Sequence, residues 1–177
     1  IKEFKDFNPD SQDRWERPPI EVTFDIGGYE LIAYNTHIKP DNVNKELGYL
    51  ENITKTSGNV ILLGDFNADC SYYDENNDVA FKDWFWAIGD EADTNVASSS
   101  CTYDRIILNS DANGEYVSDG IFKNGITEDV SDHYLIWVEL SIETDISLNL
   151  TKSSNVTTSI KEELNSNSST NVSQPNG

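Results

Sequence analysis

Four short polar strings carry the residue types from which a catalytic or metal-binding site could be assembled. They are Asn35-Thr-His37-Ile-Lys-Pro40, Gly64-Asp65-Phe66-Asn67-Ala-Asp69-Cys70, Cys101-Thr-Tyr103-Asp104-Arg105 and Ser131-Asp132-His133. Hydrolytic chemistry needs charge stabilisation, a base to activate water and an acid for the leaving group. An imidazole can be either acid or base near neutral pH, and a carboxylate on its second nitrogen fixes the tautomer and raises its basicity. The chain has only two histidines, His37 and His133, and each abuts one of these strings. Asp65 and Asn67 stand two residues apart, so in extended chain they point the same way. A carboxylate and an amide so placed suit a hard divalent cation and a phosphate oxygen. Taken singly, each string also has a plainer reading. Asp65 and Asn67 could close an Asx turn, Asp104 could be a paired core carboxylate with Arg105 at the surface, and either histidine could satisfy local hydrogen bonds. Their joint occurrence is what points to a site.

The elements that must position these strings are strands, and each string sits beside one. Residues 21–37 read as a hairpin: Glu21 to Ile26 alternates, Gly27-Gly28 turns, and Tyr29 to His37 returns. The opening Ile1 to Pro9 runs straight into that hairpin. Pro40 and Asp41 then open a helix, with Val43, Leu47, Leu50 and Ile53 on one face. Asn59 to Phe66 is a continuously apolar strand of the kind buried on both faces. Residues 79–88, rich in aromatics, are expected to form a short helix; Cys101–Leu108, Glu115–Phe122 and His133–Ser141 are expected as strands. Strands interleaved with helices indicate an α/β architecture, and strand ends converging on one rim of a sheet are a common place to assemble a site.

Of the 177 residues, 37% are apolar and 11% aromatic, enough for one domain with a sizeable core. No run of about 18 apolar residues offers a membrane span. The net charge of −20 argues against unaided binding to nucleic acid, whose affinity comes from Lys and Arg on phosphates. Divalent cations on a carboxylate-rich face would still let such a chain act on a polyanion. Solubility or halophilic adaptation explains the charge equally well. The domain is expected over 1–144. Over 145–177, 18 of 33 residues are Asn, Ser or Thr, which predicts a disordered tail in which Ile160 to Leu164 could form only a transient helical turn. Cys70 and Cys101 are two thiols or one bridge; a bridge would close a loop of about 30 residues, worth roughly 3–4 kcal/mol. Sequons at Asn52, Asn149, Asn155, Asn167 and Asn171 lean towards an extracellular setting.

The ordered set Arg17-Pro-Pro19, Thr36-His37-x-x-Pro40, Gly64-Asp-Phe-Asn-Ala-Asp-Cys-Ser-Tyr72, Cys101-x-Tyr-Asp-Arg-Ile106 and Ser131-Asp-His-Tyr134 resembles the endonuclease/exonuclease/phosphatase superfamily. The longer strings resemble its deoxyribonuclease I-like nucleases. The resemblance spans roughly Arg17 to Leu140 and implies a four-layer α/β sandwich, of which this chain is the C-terminal half. It implies His37 as the general acid and His133, held by Asp104, as the partner that activates water. Asp65 and Asp132 would bind Mg²⁺ (or Mn²⁺), and Asn67 would position the scissile phosphate. Arg17 would contact the phosphate, and Ser98, Ser99 and Tyr103 the DNA backbone. Asp93, with Ser99, matches a structural Ca²⁺ site, and Cys70 pairs with Cys101. The implied protein is a secreted, monomeric endonuclease that cuts DNA to leave 5′ phosphates.

Several family features have no counterpart in this sequence: an early Asn, a metal-binding Glu and a Glu that orients the residue matching His37. The chain opens on Ile1 and contains no Met, so it reads as a processed chain or a piece of a domain, expected to be inactive or poorly soluble alone and to bare the sheet face that its missing half would cover. Two other readings stay open. One is a lipid- or inositol-phosphate hydrolase of the same superfamily, the other a non-catalytic surface binding module.

Overall fold

In the computed structural model, which describes residues 1–74 and 80–142, the apolar stretches assemble into a six-stranded mixed sheet and a separate two-stranded one. The expected hairpin forms from β2 (Ile20–Ile26) and β3 (Tyr29–His37). Its turn places both Gly27 and Gly28 at positive φ, a region closed to most side chains. A 3₁₀ turn at Pro40–Asn42 leads into α1 (Val43–Ile53), which carries the chain across to β4 (Asn59–Asp65), parallel to β3. β5 (Phe85–Trp86) and β6 (Asp104–Leu108) continue the sheet antiparallel beyond β4. At the opposite edge lies β1 (Glu3–Asp6), so the sheet runs β1-β2-β3-β4-β6-β5. The one-turn α2 (Ser110–Asn113) then leads to β7 (Tyr116–Phe122) and β8 (Leu135–Leu140), which pair antiparallel.

Side chains alternate along the strands and build a core on each face of the large sheet. Ile32, Tyr34, Val60, Leu62 and Ile107 face α1 and meet Val43, Leu47 and Leu50. Leu31, Ala33, Ile61, Leu63, Ile106 and Leu108 face the other way, towards Tyr116, Ile136, Val138 and Leu140 of the small sheet. Each fully buried Leu or Ile contributes roughly 1.5–3 kcal/mol. Helix, sheet and sheet thus form three stacked layers of an α/β sandwich. The outer face of the small sheet leaves Phe122, Leu135 and Trp137 exposed.

Some expectations are corrected. The aromatic stretch is no helix over its described residues, 80–88: Phe81 has a φ of 54°, and Phe85–Trp86 is a strand. Phe85 stacks edge-on to Tyr116 while Trp86 turns to Phe66, so neighbours bury on opposite sides. That is a period of two, hidden in a run where almost every residue is apolar. Strand geometry begins only at Asp104, not Cys101, and only at Leu135, not His133. Glu3–Asp6, read as a lead-in, is itself a strand on β2. The tail expected over 145–177 lies outside the described residues.

Candidate active site

Strand register lines up three of the polar strings. His37 is opposite Asp65 across β3–β4, and Asp65 is opposite Asp104 across β4–β6. All three continue the rows Leu31-Ala33-Asn35, Ile61-Leu63 and Ile106-Leu108, so they lie at one end of the sheet's inter-sheet face. The fourth string reaches them from the small sheet. His133 pairs with Asn95, Tyr134 N–H donates to Thr94 O at 2.8 Å, and Val96 N–H donates to Asp132 O at 2.9 Å.

The side chains then touch. His133 Nδ1 lies 2.7 Å from Asp104 Oδ2, the carboxylate–imidazole pair that the family resemblance implied. The Nε2 atoms of both histidines turn to Asp65 Oδ2, at 3.2 Å for His37 and 3.9 Å for His133. Burial alone would lower the His133 pKa. The Asp104 hydrogen bond and the charges of Asp104, Asp65 and Asp132 more than offset it, so the imidazole sits above its ordinary value. Burial pushes the Asp104 carboxyl up, against the downward pull of its bonds to His133 and Thr94. The result is an imidazole made more basic than usual and held in one orientation, its Nε2 facing a second carboxylate.

Local structure explains the placement. β4 ends at Gly64-Asp65 with Gly64 at a φ of 135°, and a Cβ there would lie 2.0 Å from Thr36 O. Only glycine allows β3 and β4 so close beside the His37–Asp65 pair. Asn67, 6% exposed, donates its Nδ2 to Ile38 O at 2.9 Å, and its N–H to Asp65 Oδ1 at 3.0 Å. It thereby pins the residue after His37 and orients Asp65.

The remaining candidates fall around this centre. Tyr103 packs 6.3 Å from the His133 ring and 5.7 Å from Tyr72. Ser98 and Ser99 are exposed on the loop before Cys101. Arg17 is exposed just ahead of β2, whose first residue Ile20 is opposite Asn35, so it lies at the same end of the sheet as His37. Asp93 is not brought to the centre; its Oδ2 pairs with Lys123 Nζ at 2.9 Å. Cys70 and Cys101 are disulfide-bonded, which ties the loop after Asn67 to the segment leading into β6 at Asp104.

Arg105 is the residue that reading by type misplaced. It is fully buried, not at the surface, and donates to Ala68 O at 2.6 Å and Ile88 O at 3.0 Å, with Asp90 Oδ1 at 2.7 Å. It anchors the loop that carries Asn67 and Asp69. The available signal was alternation: Arg105 shares its side of β6 with buried Ile107. Thr94, whose Oγ1 accepts the Asp104 N–H at 3.1 Å, carried no signal of its own.

Asp65 and Asp132 fit a divalent metal in part. Asp65 is mostly buried at the end of its strand, whereas Asp132 is exposed. Mg²⁺ binds through one or two carboxylates, with waters and substrate phosphate filling its octahedron. Among the described residues the only tight group of three possible ligands is Asp69, Cys70 and Cys101, two of which are spent on the disulfide.

Residues 4–133 match the model of the Endonuclease/Exonuclease/phosphatase family. The chain belongs to that family. Among curated relatives, it is 34% identical over 157 residues to deoxyribonuclease-1-like 1 of Sus scrofa, covering 75% of this chain and 50% of the relative. It is 34% identical over 120 residues to deoxyribonuclease-1-like 2 of Mus musculus, covering 56% and 41%. The chain therefore spans about half the length of the curated relatives it matches. A solved family protein from Leptotrichia buccalis superposes with a TM-score of 0.59 at 20% identity, covering 80% of this chain and 62% of that one. TDP2 of D. rerio, solved with a single-strand DNA product, gives 0.57 at 15% identity, covering 77% and 66%. These likenesses establish the family's deoxyribonuclease I-like α/β sandwich as the fold.

Proposed function

We propose that this family member contributes the acid, the base and part of the metal site of a metal-dependent phosphodiesterase that cuts DNA and leaves 5′ phosphates. One observation carries the reading: His37, Asp65 and the Asp104–His133 pair, drawn from four separated strings, meet at one end of the inter-sheet face. Two imidazoles whose Nε2 atoms flank one carboxylate suit a phosphate set between an attacking and a leaving oxygen. His133, kept basic by Asp104, takes a proton from water. His37, 47% exposed, hands one to the leaving 3′ oxygen. Asn67 holds the phosphate, while Arg17, Tyr103, Ser98 and Ser99 line its approach. Asp65 and Asp132 would hold Mg²⁺ or Mn²⁺, which when bound supplies charge stabilisation at the phosphate. The deoxyribonuclease names of the curated relatives support DNA over a lipid phosphate. The disulfide supports an oxidising, extracellular setting, and no helix among the described residues is long and apolar enough to cross a membrane.

The glutamates that the family uses on metal and acid have no counterpart among the residues gathered here. The 177 residues alone are therefore expected not to nick supercoiled plasmid in Mg²⁺. A form extended to the relatives' full length is expected to nick it, and His133→Ala in that form to slow nicking by about 10²–10⁴-fold. Unchanged nicking by the variant sinks the role of His133. EDTA-sensitive nicking by the 177-residue chain sinks the division of the site.

A further inference from the structure

The resemblance puts a structural Ca²⁺ at Asp93 and Ser99, in the loop that the Cys70–Cys101 bridge closes. The donors there are committed elsewhere. Asp93 Oδ2 faces Lys123 Nζ at 2.9 Å. Ser99 Oγ accepts from Asn95 Nδ2 at 2.9 Å, and the same amide reaches Ser99 O at 3.0 Å. Asn95 Oδ1 in turn accepts the Ala97 N–H at 3.2 Å. What remains is Asp93 Oδ1, buried and without a hydrogen-bond partner. One free side-chain oxygen is a poor start for an ion that gathers six to eight. Asp93 also belongs to no close group of three carboxylate, imidazole or thiol ligands among the described residues. The set does not fit calcium.

We propose that the Lys123 ammonium is the built-in cation of this loop, taking the place of a bound Ca²⁺ and ordering the segment that carries His133. Lys123 directly follows β7 and is the only lysine or arginine between Arg105 and Lys152. In a chain with 32 acidic and 12 basic residues, it falls on the one carboxylate that the calcium reading needs. Its ammonium also lies 4.6 Å from the centre of the Tyr134 ring, within the range of cation–π attraction. Tyr134 and Asp132 are bonded through their backbones to Thr94 and Val96, on either side of the Asn95–His133 bridge. Lys123 therefore grips both halves of that bridge at once, the loop through Asp93 and the His133 segment through Tyr134. It is a positioning residue, and this role does not depend on which phosphate ester the site cleaves.

Amide hydrogen exchange at Val96 and Tyr134, whose N–H groups donate to Asp132 O and Thr94 O, reads the bridge directly, without any activity. In the 177-residue chain these amides are expected to exchange equally fast in millimolar CaCl₂ and in EGTA. Lys123→Gln is expected to speed their exchange about three- to fivefold, the scale of losing one half-exposed ion pair, while Lys123→Arg keeps the slow rate. Slower exchange of the unaltered chain in CaCl₂ than in EGTA overturns the proposal, and so does a Lys123→Gln bridge as protected as the original. Should Lys123→Gln fail to fold, the calcium comparison on the unaltered chain and the arginine variant still decide.

Discussion

At the level of single residues, the centre of the site is the Asp104–His133 pair. Asp104 is 14% exposed and touches His133 on the ring nitrogen opposite the one aimed at Asp65. Asp104→Asn preserves shape but offers an amide where the imidazole needs an acceptor, favouring the wrong tautomer. The full-length form of Asp104→Asn is expected to lose about 10²–10⁴-fold in kcat with little change in KM. A loss confined to KM would make Asp104 a substrate contact instead. Both histidines stood out in the sequence because they are only two and each abuts a polar string; the pairing of His133 with Asp104 came from the family resemblance, since the two residues lie 29 apart in the chain. Arg105 did not stand out, since arginine's default place is the surface; only its alternation with Ile107 told otherwise. Lys123 and Thr94 were illegible for another reason. Their partners lie 30 and 10 residues away in chain, and no short string joins them.

The row of His37, Asp65 and Asp104 depends on how closely β3 and β4 can lie. Gly64 is opposite Thr36, with a φ of 135° and room for no Cβ. Gly64→Ala must therefore adopt a strained backbone and push against Thr36 O, a backbone atom that cannot swing aside. A destabilisation of about 2–4 kcal/mol is expected in urea unfolding. A variant as stable as the original would show that the two strands separate at little cost. Strand and helix types were readable where one period dominated, as in β2, β3 and α1, and in β4, where a short apolar run follows Gly58 and ends at Gly64-Asp65. They were not readable at 80–88, where Phe81, Trp84, Phe85, Trp86 and Ile88 are nearly all apolar. There both periods fit, and tertiary contacts on two sides chose the strand. β1 was hidden because all four of its residues are exposed at a sheet edge, so no buried stripe marks it.

Across the whole molecule, a net charge of −20 makes acid act in two opposing ways. Protonating surface carboxylates relieves self-repulsion and favours the compact state. Protonating a carboxylate that the fold uses does the reverse. Glu21 is the clearest of the second kind. It is buried beside Tyr34, whose hydroxyl donates to it at 2.9 Å, and it pairs with Lys55 Nζ at 2.6 Å. Burial alone would raise its pKa, but the bonds from Lys55 and Tyr34 outweigh burial and hold the carboxyl below its ordinary value. A carboxyl lowered in the folded state adds stability above its unfolded value, near pH 4.3, and that contribution vanishes as pH falls through the lowered folded value. Glu21→Gln keeps the Tyr34 bond but loses the ion pair. Because Lys55 is 44% exposed and well screened, the expected cost at pH 7 is only about 1 kcal/mol. Surface repulsion is common to both proteins, so it cancels in the difference between them. That difference should stay level from pH 7 to about 5 and shrink towards zero below about pH 4. Paired urea titrations of the two chains across that range measure it. A gap that widens in acid would mean that burial, not Lys55, governs Glu21.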